Sequence, residues 1–431
     1  MTDASETDIS GTDTSGTKAP GTKASGTTEA GPRGALSGLV VLDLTRILAG
    51  PTATQMLGDL GAEVIKVENP ATGGDDTRAW GPVYPTGADG APLGDLSAYF
   101  MSANRNKKSV ALDIATPEGQ RAVRALAARA DAVIENFKPG GLARYGLDHG
   151  TIRAAHPALV WVSISGFGQT GPNAALPGYD LMAQGFGGIM SLTGEPDGMP
   201  MKVGVGIADV VCGLYAAIGL LAALRHRDAT GEGQHVDVAL VDTQMAWLIN
   251  EGVNYLTSGE TPRRRGNAHP SIVPYQAFAT SDGFVLVAVG NDAQFARFCD
   301  FLGASWHEEA RFATNGARIA HREALIAMIE PALASLTRAE VIEGLEARLV
   351  PVGPVNDVAQ ALGSTQARAR DAVVRVPAPE AEGGALRLLG NPLKLSATPV
   401  RYRRPPPRFG ADTREVMDGL EGTDDGKGPE G

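Results

Sequence analysis

Two cysteines are all that 431 residues contain, and neither Cys212 nor Cys299 has a second cysteine at C-x-x-C spacing. A disulfide scaffold or a thiolate metal centre is therefore not expected, and both read as small core residues in a reducing compartment. The seven histidines form no H-E-x-x-H or similar helical pair, so no metal site is expected either. There is no G-x-S-x-G elbow to start a serine hydrolase, no G-x-x-x-x-G-K-[ST] phosphate loop, and no G-x-G-x-x-G dinucleotide fingerprint. No run approaches the roughly 18 uninterrupted apolar residues of a membrane span, and the N-terminus lacks a basic-then-apolar secretory signal. The expected setting is the cytoplasm, with no membrane partner. Positive charge is in deficit, 38 Lys and Arg against 49 Asp and Glu for a net charge of −11. That balance argues against nucleic acid, while local basic clusters could still hold a small phosphorylated ligand.

What is present is ample apolar material, 43% of a chain too long for one ordinary core, so two domains are expected. Residues 1–34 repeat a Ser/Thr-Gly-Thr theme with few large apolar side chains and should be disordered; 411–431 read as a flexible tail. Between them, strand-like runs at 39–44, 63–67, 109–112, 132–134 and 159–164 alternate with helical segments. One helix should span 117–129, with Thr116 as its cap and Pro117 at its first position, and another 52–60 with Pro51 opening it. The pattern predicts an α/β large domain with a mostly parallel, helix-covered sheet at 35–225. A linker at 226–250 leads to a smaller α+β domain at 251–345, and in 346–410 the runs at 373–376 and 386–395 could return to the first sheet.

Asp209 stands at the mouth of the apolar run 208–224, preceded by Gly204, Gly206 and Ala208. Two readings are open. It caps a helix, or it is a carboxylate kept ionised by the helix dipole for use. A second acid, Asp180, ends the loop Gly178-Tyr179-Asp180, and a turn-rich loop around Gly266 follows Arg263, Arg264 and Arg265. Basic residues gather before one strand (Arg105, Lys107) and after another (Lys138, Arg144, beside Asn136 and Phe137). Each group is either solvated charge at a loop end or part of one phosphate-binding edge at the strand C-termini.

Taken in order, VLDLTR at 41–46, LAGP at 48–51, GAEVIKVE at 61–68, GDDTR at 74–78, 104–113, ENF at 135–137, SGFGQTGP at 165–172, GYD at 178–180, GEGQHVD at 231–237 and GPV at 353–355 resemble one family. It is the family III CoA-transferases, the formyl-CoA and carnitine CoA-transferase group that also holds the α-methylacyl-CoA racemases. The resemblance covers about 36–410. It implies that Asp209 is a nucleophile forming an aspartyl acyl anhydride and then an aspartyl-CoA thioester, with Asp180 in support and the Gly266 loop covering the site. It implies CoA contacts from Ile47, Leu48, Ala49, Asn69, Arg105, Lys107, Leu112, Asn136, Phe137, Lys138 and Arg144. CoA is then a substrate, no tightly bound cofactor is needed, and the partners are acyl-CoA and small carboxylic acids. The resemblance also implies a Rossmann-like large domain, built from the N-terminal portion and the return of the chain at 346–410, with the smaller domain between them and two subunits interlocked as a homodimer. Racemases carry His where this chain has Tyr179, whose ordinary pKa suits proton abstraction poorly; transfer is favoured over racemisation. Formyl-CoA transferase has Gln at Leu48, Arg at Asn69 and Lys at Ala115 and Pro177, so formyl and oxalate fit less well. The stretch 265–275 looks more like members acting on dicarboxylates such as succinate. A nicotinamide-dependent oxidoreductase is the distant alternative.

Overall fold

A computed structural model describes residues 34–421; the expected disorder of the N-terminal repeat falls almost wholly outside them. Six strands form one sheet: β1 (Val40–Leu44), β2 (Glu63–Glu68), β3 (Lys107–Ala111), β4 (Ala132–Glu135), β5 (Val160–Ser165) and β6 (His235–Ala239). Their order is β3-β2-β1-β4-β5-β6, and every neighbouring pair is parallel. The alternation of side chains decides the layers. Val41, Val64, Ile134 and Val162 face one core, Leu42, Ile65, Val133 and Trp161 the other.

Eight helices accompany the sheet: α1 (Ala49–Asp59), α2 (Ala98–Ser102), α3 (Pro117–Arg129), α4 (His149–Ala155), α5 (Asp180–Phe186), α6 (Ile207–Thr230), α7 (Leu240–Ala246) and α8 (Ile249–Ser258). Thr116 caps α3 through its hydroxyl, with Pro117 at the first position, as the sequence predicts. The start of α1 differs. It begins at Ala49, three residues before the expected start, and Pro51 falls in its first turn, where a missing N–H costs no helical hydrogen bond. By length and hydropathy α6 could cross a membrane; here Ala208, Cys212, Ala216, Leu220 and Ala223 bury one face against the sheet and α1. Contact with α1 is close enough that a Cβ on Gly213 would lie 2.5 Å from the Ala49 carbonyl oxygen. Gly213→Val should therefore lower the melting temperature by about 5 °C or more, as overpacking at a backbone contact costs on the order of 2 kcal/mol; differential scanning calorimetry checks it.

A second apolar core lies on a three-stranded antiparallel sheet of β7 (Tyr275–Thr280), β8 (Gly283–Ala288) and β9 (Val352–Pro354). Four helices cover it: α9 (Asp292–Phe301), α10 (Asn315–Ala320), α11 (Arg322–Ala334) and α12 (Arg338–Glu346). Beyond come α13 (Val358–Gly363), α14 (Thr365–Ala369), β10 (Val373–Pro377) and β11 (Ala385–Leu389). These two strands do not rejoin the large sheet. They pair only with each other, antiparallel, around Leu93, Leu96 and Phe100. The chain does return to that sheet later, first at Arg404, within the segment expected to return, and then at Asp412 and Thr413, in the segment expected to be a loose tail. Arg404 accepts from the Asn106 amide, Asp412 from Ser109 and Thr413 from Ala111. A final helix, α15 (Thr413–Glu421), then packs Val416 into the core behind β3.

Candidate active site at the strand C-termini

In a doubly wound sheet of this order the chain leaves β1 and β4 toward opposite flanks, which opens a crevice at their C-terminal ends. A cavity of about 500 Å³ occupies that place. Its wall comes from Arg46, Ile47, Leu48 and Ala49 after β1, from Asn136, Phe137, Lys138 and Arg144 after β4, and from Ser165 and Gly166 at the end of β5. Tyr179, Trp80, Asp76 and Asp209 complete it. A mixed apolar and cationic lining suits a ligand with both an apolar arm and phosphates. Lys138 and Arg144 carry no ion pair among the described residues, whereas Arg46 is paired with Asp76 at 2.9 Å.

Asp209 is the third residue of α6 and does not cap it; Gly206 is the cap position. The capping carboxylate is Asp180, whose Oδ1 accepts the amide of Ala208, 28 residues later, at 2.7 Å and more weakly the Asp209 amide at 3.4 Å. Its Oδ2 accepts from Gln184 Nε2, and Gln184 Oε1 in turn takes the Val203 amide. Asp180 reaches α6 because Gly166 and Gly178 touch backbone to backbone: a Cβ on Gly178 would lie 2.2 Å from Gly166 Cα. The Asp209 carboxylate accepts no hydrogen bond from the described residues, and only 9% of the residue is exposed. Burial, and after it the charge of Asp180, push it up to about 7. The helix dipole does not hold this acid fully ionised, as the sequence suggests it would. At neutral pH it is poised between its two forms and free of hydrogen-bond partners among the described residues, a perturbed acid in a crevice of the kind that marks functional sites.

Of the residues the resemblance implies, the structure brings Ile47, Leu48, Ala49, Asn136, Phe137, Lys138, Arg144, Tyr179 and Asp209 together, with Asp180 behind them. Others lie elsewhere. Arg105 is a buried partner of Asp59 at 2.5 Å and of the Leu389 carbonyl, and Lys107 is buried on Asp43, the Pro51 carbonyl and Asn104. Both charges are consumed inside the large domain and cannot reach a phosphate in the cavity. Asn69 caps the short turn Pro70–Thr72, and Leu112 bonds back to Glu68; both are outside the cavity wall. Gly266 rests on the 194–195 turn, not on Asp209. Two aromatic residues escaped the sequence reading. Trp80, two residues beyond the GDDTR segment, lines the cavity and packs edge-on to Tyr99, 5.1 Å between centroids. Burial, then the charges of Asp209, Asp180 and Asp75, push the Tyr99 hydroxyl up to about 12, so it stays a proton donor.

The sequence pattern of CoA-transferase family III matches residues 36–413. The chain is a family III CoA-transferase. It is 48% identical to a succinate–glutarate CoA-transferase of Agrobacterium fabrum over 387 residues, 90% of this chain and 96% of the other. It is 39% identical to the succinyl-CoA:glutarate CoA-transferase of Mus musculus, over 89% of this chain and 85% of that one. Among solved structures, a CAIB/BAIF family protein from Brucella suis superposes with a TM-score of 0.81 at 44% identity, covering 90% of this chain and all of its own. As a family III enzyme the protein transfers CoA between acids, and CoA thioesters are its substrates.

Proposed function

We propose that this enzyme takes CoA from succinyl-CoA and delivers it to a short dicarboxylic acid, glutarate or one of similar length, through covalent intermediates on Asp209. The observation that carries the reading is a carboxylate without hydrogen-bond partners among the described residues, lining a cavity whose wall carries Lys138 and Arg144, neither of them in an ion pair with those residues. Asp209 attacks the thioester carbonyl, forming an acyl anhydride and releasing CoA thiolate. The thiolate then attacks the aspartyl carbonyl, leaving CoA on Asp209 and freeing succinate. The acceptor carboxylate attacks that thioester, thiolate leaves again, and its attack on the acceptor carbonyl gives the new acyl-CoA and restores Asp209. Thioester energy is conserved throughout, so no nucleotide is consumed. Relatives named for glutarate support the acids chosen.

The test is incubation with succinyl-CoA and a panel of straight-chain dicarboxylates, reading new thioesters by mass spectrometry; no new thioester with any acid would refute the reading. Exchange of α-deuterium on a branched acyl-CoA without an acceptor would point instead to racemisation. Lys138→Ala with Arg144→Ala should raise KM for the acyl-CoA by roughly tenfold or more while kcat changes little, since loss of phosphate contacts weakens ground-state and transition-state binding alike. A homodimer belongs to the same proposal. Helix α8 has no buried residue within the chain and exposes Ile249, Val253 and Leu256, an apolar face that a second copy would cover. Sedimentation should give twice the 44.6 kDa chain mass.

A further inference from the structure

We propose that Asp75 is a positioning residue: it holds Ile47 in a left-handed conformation and so keeps the 45–49 loop in the shape that forms one wall of the cavity. Ile47 has φ 73°, a region where a β-branched residue is an outlier costing energy that its surroundings must supply. Its amide donates to both carboxylate oxygens of Asp75, at 3.2 and 3.3 Å. Asp75 is itself fixed by Lys66, 2.9 Å away, with both side chains wholly buried. The same ammonium reaches the Thr45 carbonyl at 2.7 Å, so one buried ion pair grips the loop on either side of Arg46.

The residues between are held as firmly. Asn136 spans Arg46 with two reciprocal hydrogen bonds, its Oδ1 accepting from the amide and its Nδ2 donating to the carbonyl, at 3.1 and 2.8 Å. Asp43 takes the Thr45 amide and hydroxyl. The loop folds back so tightly that a Cβ on Gly50 would lie 2.3 Å from the Thr45 side chain. Beyond the strained residue, Leu48 packs on Gly206, where its Cδ2 would be 3.0 Å from an added Cβ. Gly206 is the cap position of the helix that bears Asp209. If Ile47 relaxed to an ordinary negative φ, the chain direction at Leu48 and Ala49 would change, and both would leave their seat opposite the nucleophile. Asn136, assigned to CoA on resemblance, spends its amide on this clamp.

The inference rests on the cavity being the CoA site, and a set of variants of the full chain separates the two. CoA affinity by calorimetry, KM and kcat are measured for Asp75→Asn, Ile47→Gly and the double variant. Asp75→Asn should weaken CoA and raise KM about tenfold with kcat within about threefold, and Ile47→Gly, which also trims the cavity wall, sets the baseline against which the double variant is read. The double variant should match Ile47→Gly, because glycine keeps a positive φ without the carboxylate's help. A double variant as impaired as Asp75→Asn, or worse, overturns the proposal, since a generally structural role would not be rescued at position 47. Should Asp75→Asn fail to fold, Ile47→Gly against Ile47→Ala decides: the glycine variant melting higher supports the strain, and equal or reversed order overturns it. Should the wild type neither bind CoA nor transfer it, the functional reading fails by itself. Hydrogen exchange over 45–49 then tests the clamp, with faster exchange in Asp75→Asn expected and unchanged exchange overturning it.

Discussion

Asp209→Asn should abolish CoA transfer by at least about 10³-fold in kcat, because an amide cannot form the anhydride, while leaving CoA affinity nearly unchanged. Activity within about tenfold of wild type would remove Asp209 from the mechanism. The same variant should be more stable than the wild type. A folded-state pKa raised from 3.8 to about 7 means the native protein holds this proton more tightly than the unfolded chain does. Stability therefore falls as pH rises between about 4 and 7 and is flat above, where the cost of the buried anion is fully present. Asparagine removes that slope. Its advantage should be nearly absent at pH 4 and below, grow through neutrality and reach on the order of 4 kcal/mol above pH 7. Thermal denaturation across pH 4–8 measures this, and a constant difference would contradict the raised pKa.

Asp180→Ala should have the next largest effect, about 10² in kcat with a loss of roughly 1–2 kcal/mol of stability, because Ala208 loses its side-chain acceptor at the start of α6. Asp180→Asn separates position from charge. Its amide oxygen can still accept the Ala208 N–H, but the negative charge that helps raise the Asp209 pKa is gone. In the proposed mechanism the attacking form is the Asp209 carboxylate, so wild-type kcat/KM should climb with pH through about 7. In Asp180→Asn that limb should move to lower pH, though not to the ordinary carboxylate value, since burial is the larger cause. A pH–rate profile with the limb unmoved would show that Asp180 acts only as a cap.

The parts legible in the sequence were those fixed by local chemistry. Thr116 and Pro117 announce α3 because cap and helix lie within one turn, and the cavity-lining segments follow from placing loops at strand ends. Arg105 and Lys107 misled because their partners, Asp59 and Asp43, lie 46 and 64 residues away, and nothing local distinguishes a paired cation from a free one. The cap of α6 was hidden for the same reason: a carboxylate near a helix start looks like its cap until a distant one, Asp180, is seen in the place. Trp80 carries a weaker signal, an aromatic residue two positions beyond the GDDTR segment. The 373–389 hairpin was misplaced because β-propensity says nothing about which strand will be the neighbour.

The last described turn of the chain has a bearing on biosynthesis. Ser109 on β3 donates its amide to Asp412, 303 positions later, and Asn106 and Ala111 meet Arg404 and Thr413 in the same way. On the ribosome, the edge strand of the large sheet emerges long before the segment that closes it. Until then its unpaired amides and carbonyls are open to pairing with another chain. The half of the enzyme that bears Asp209 is thus translated early and sealed late, only after a loop of some three hundred residues has closed.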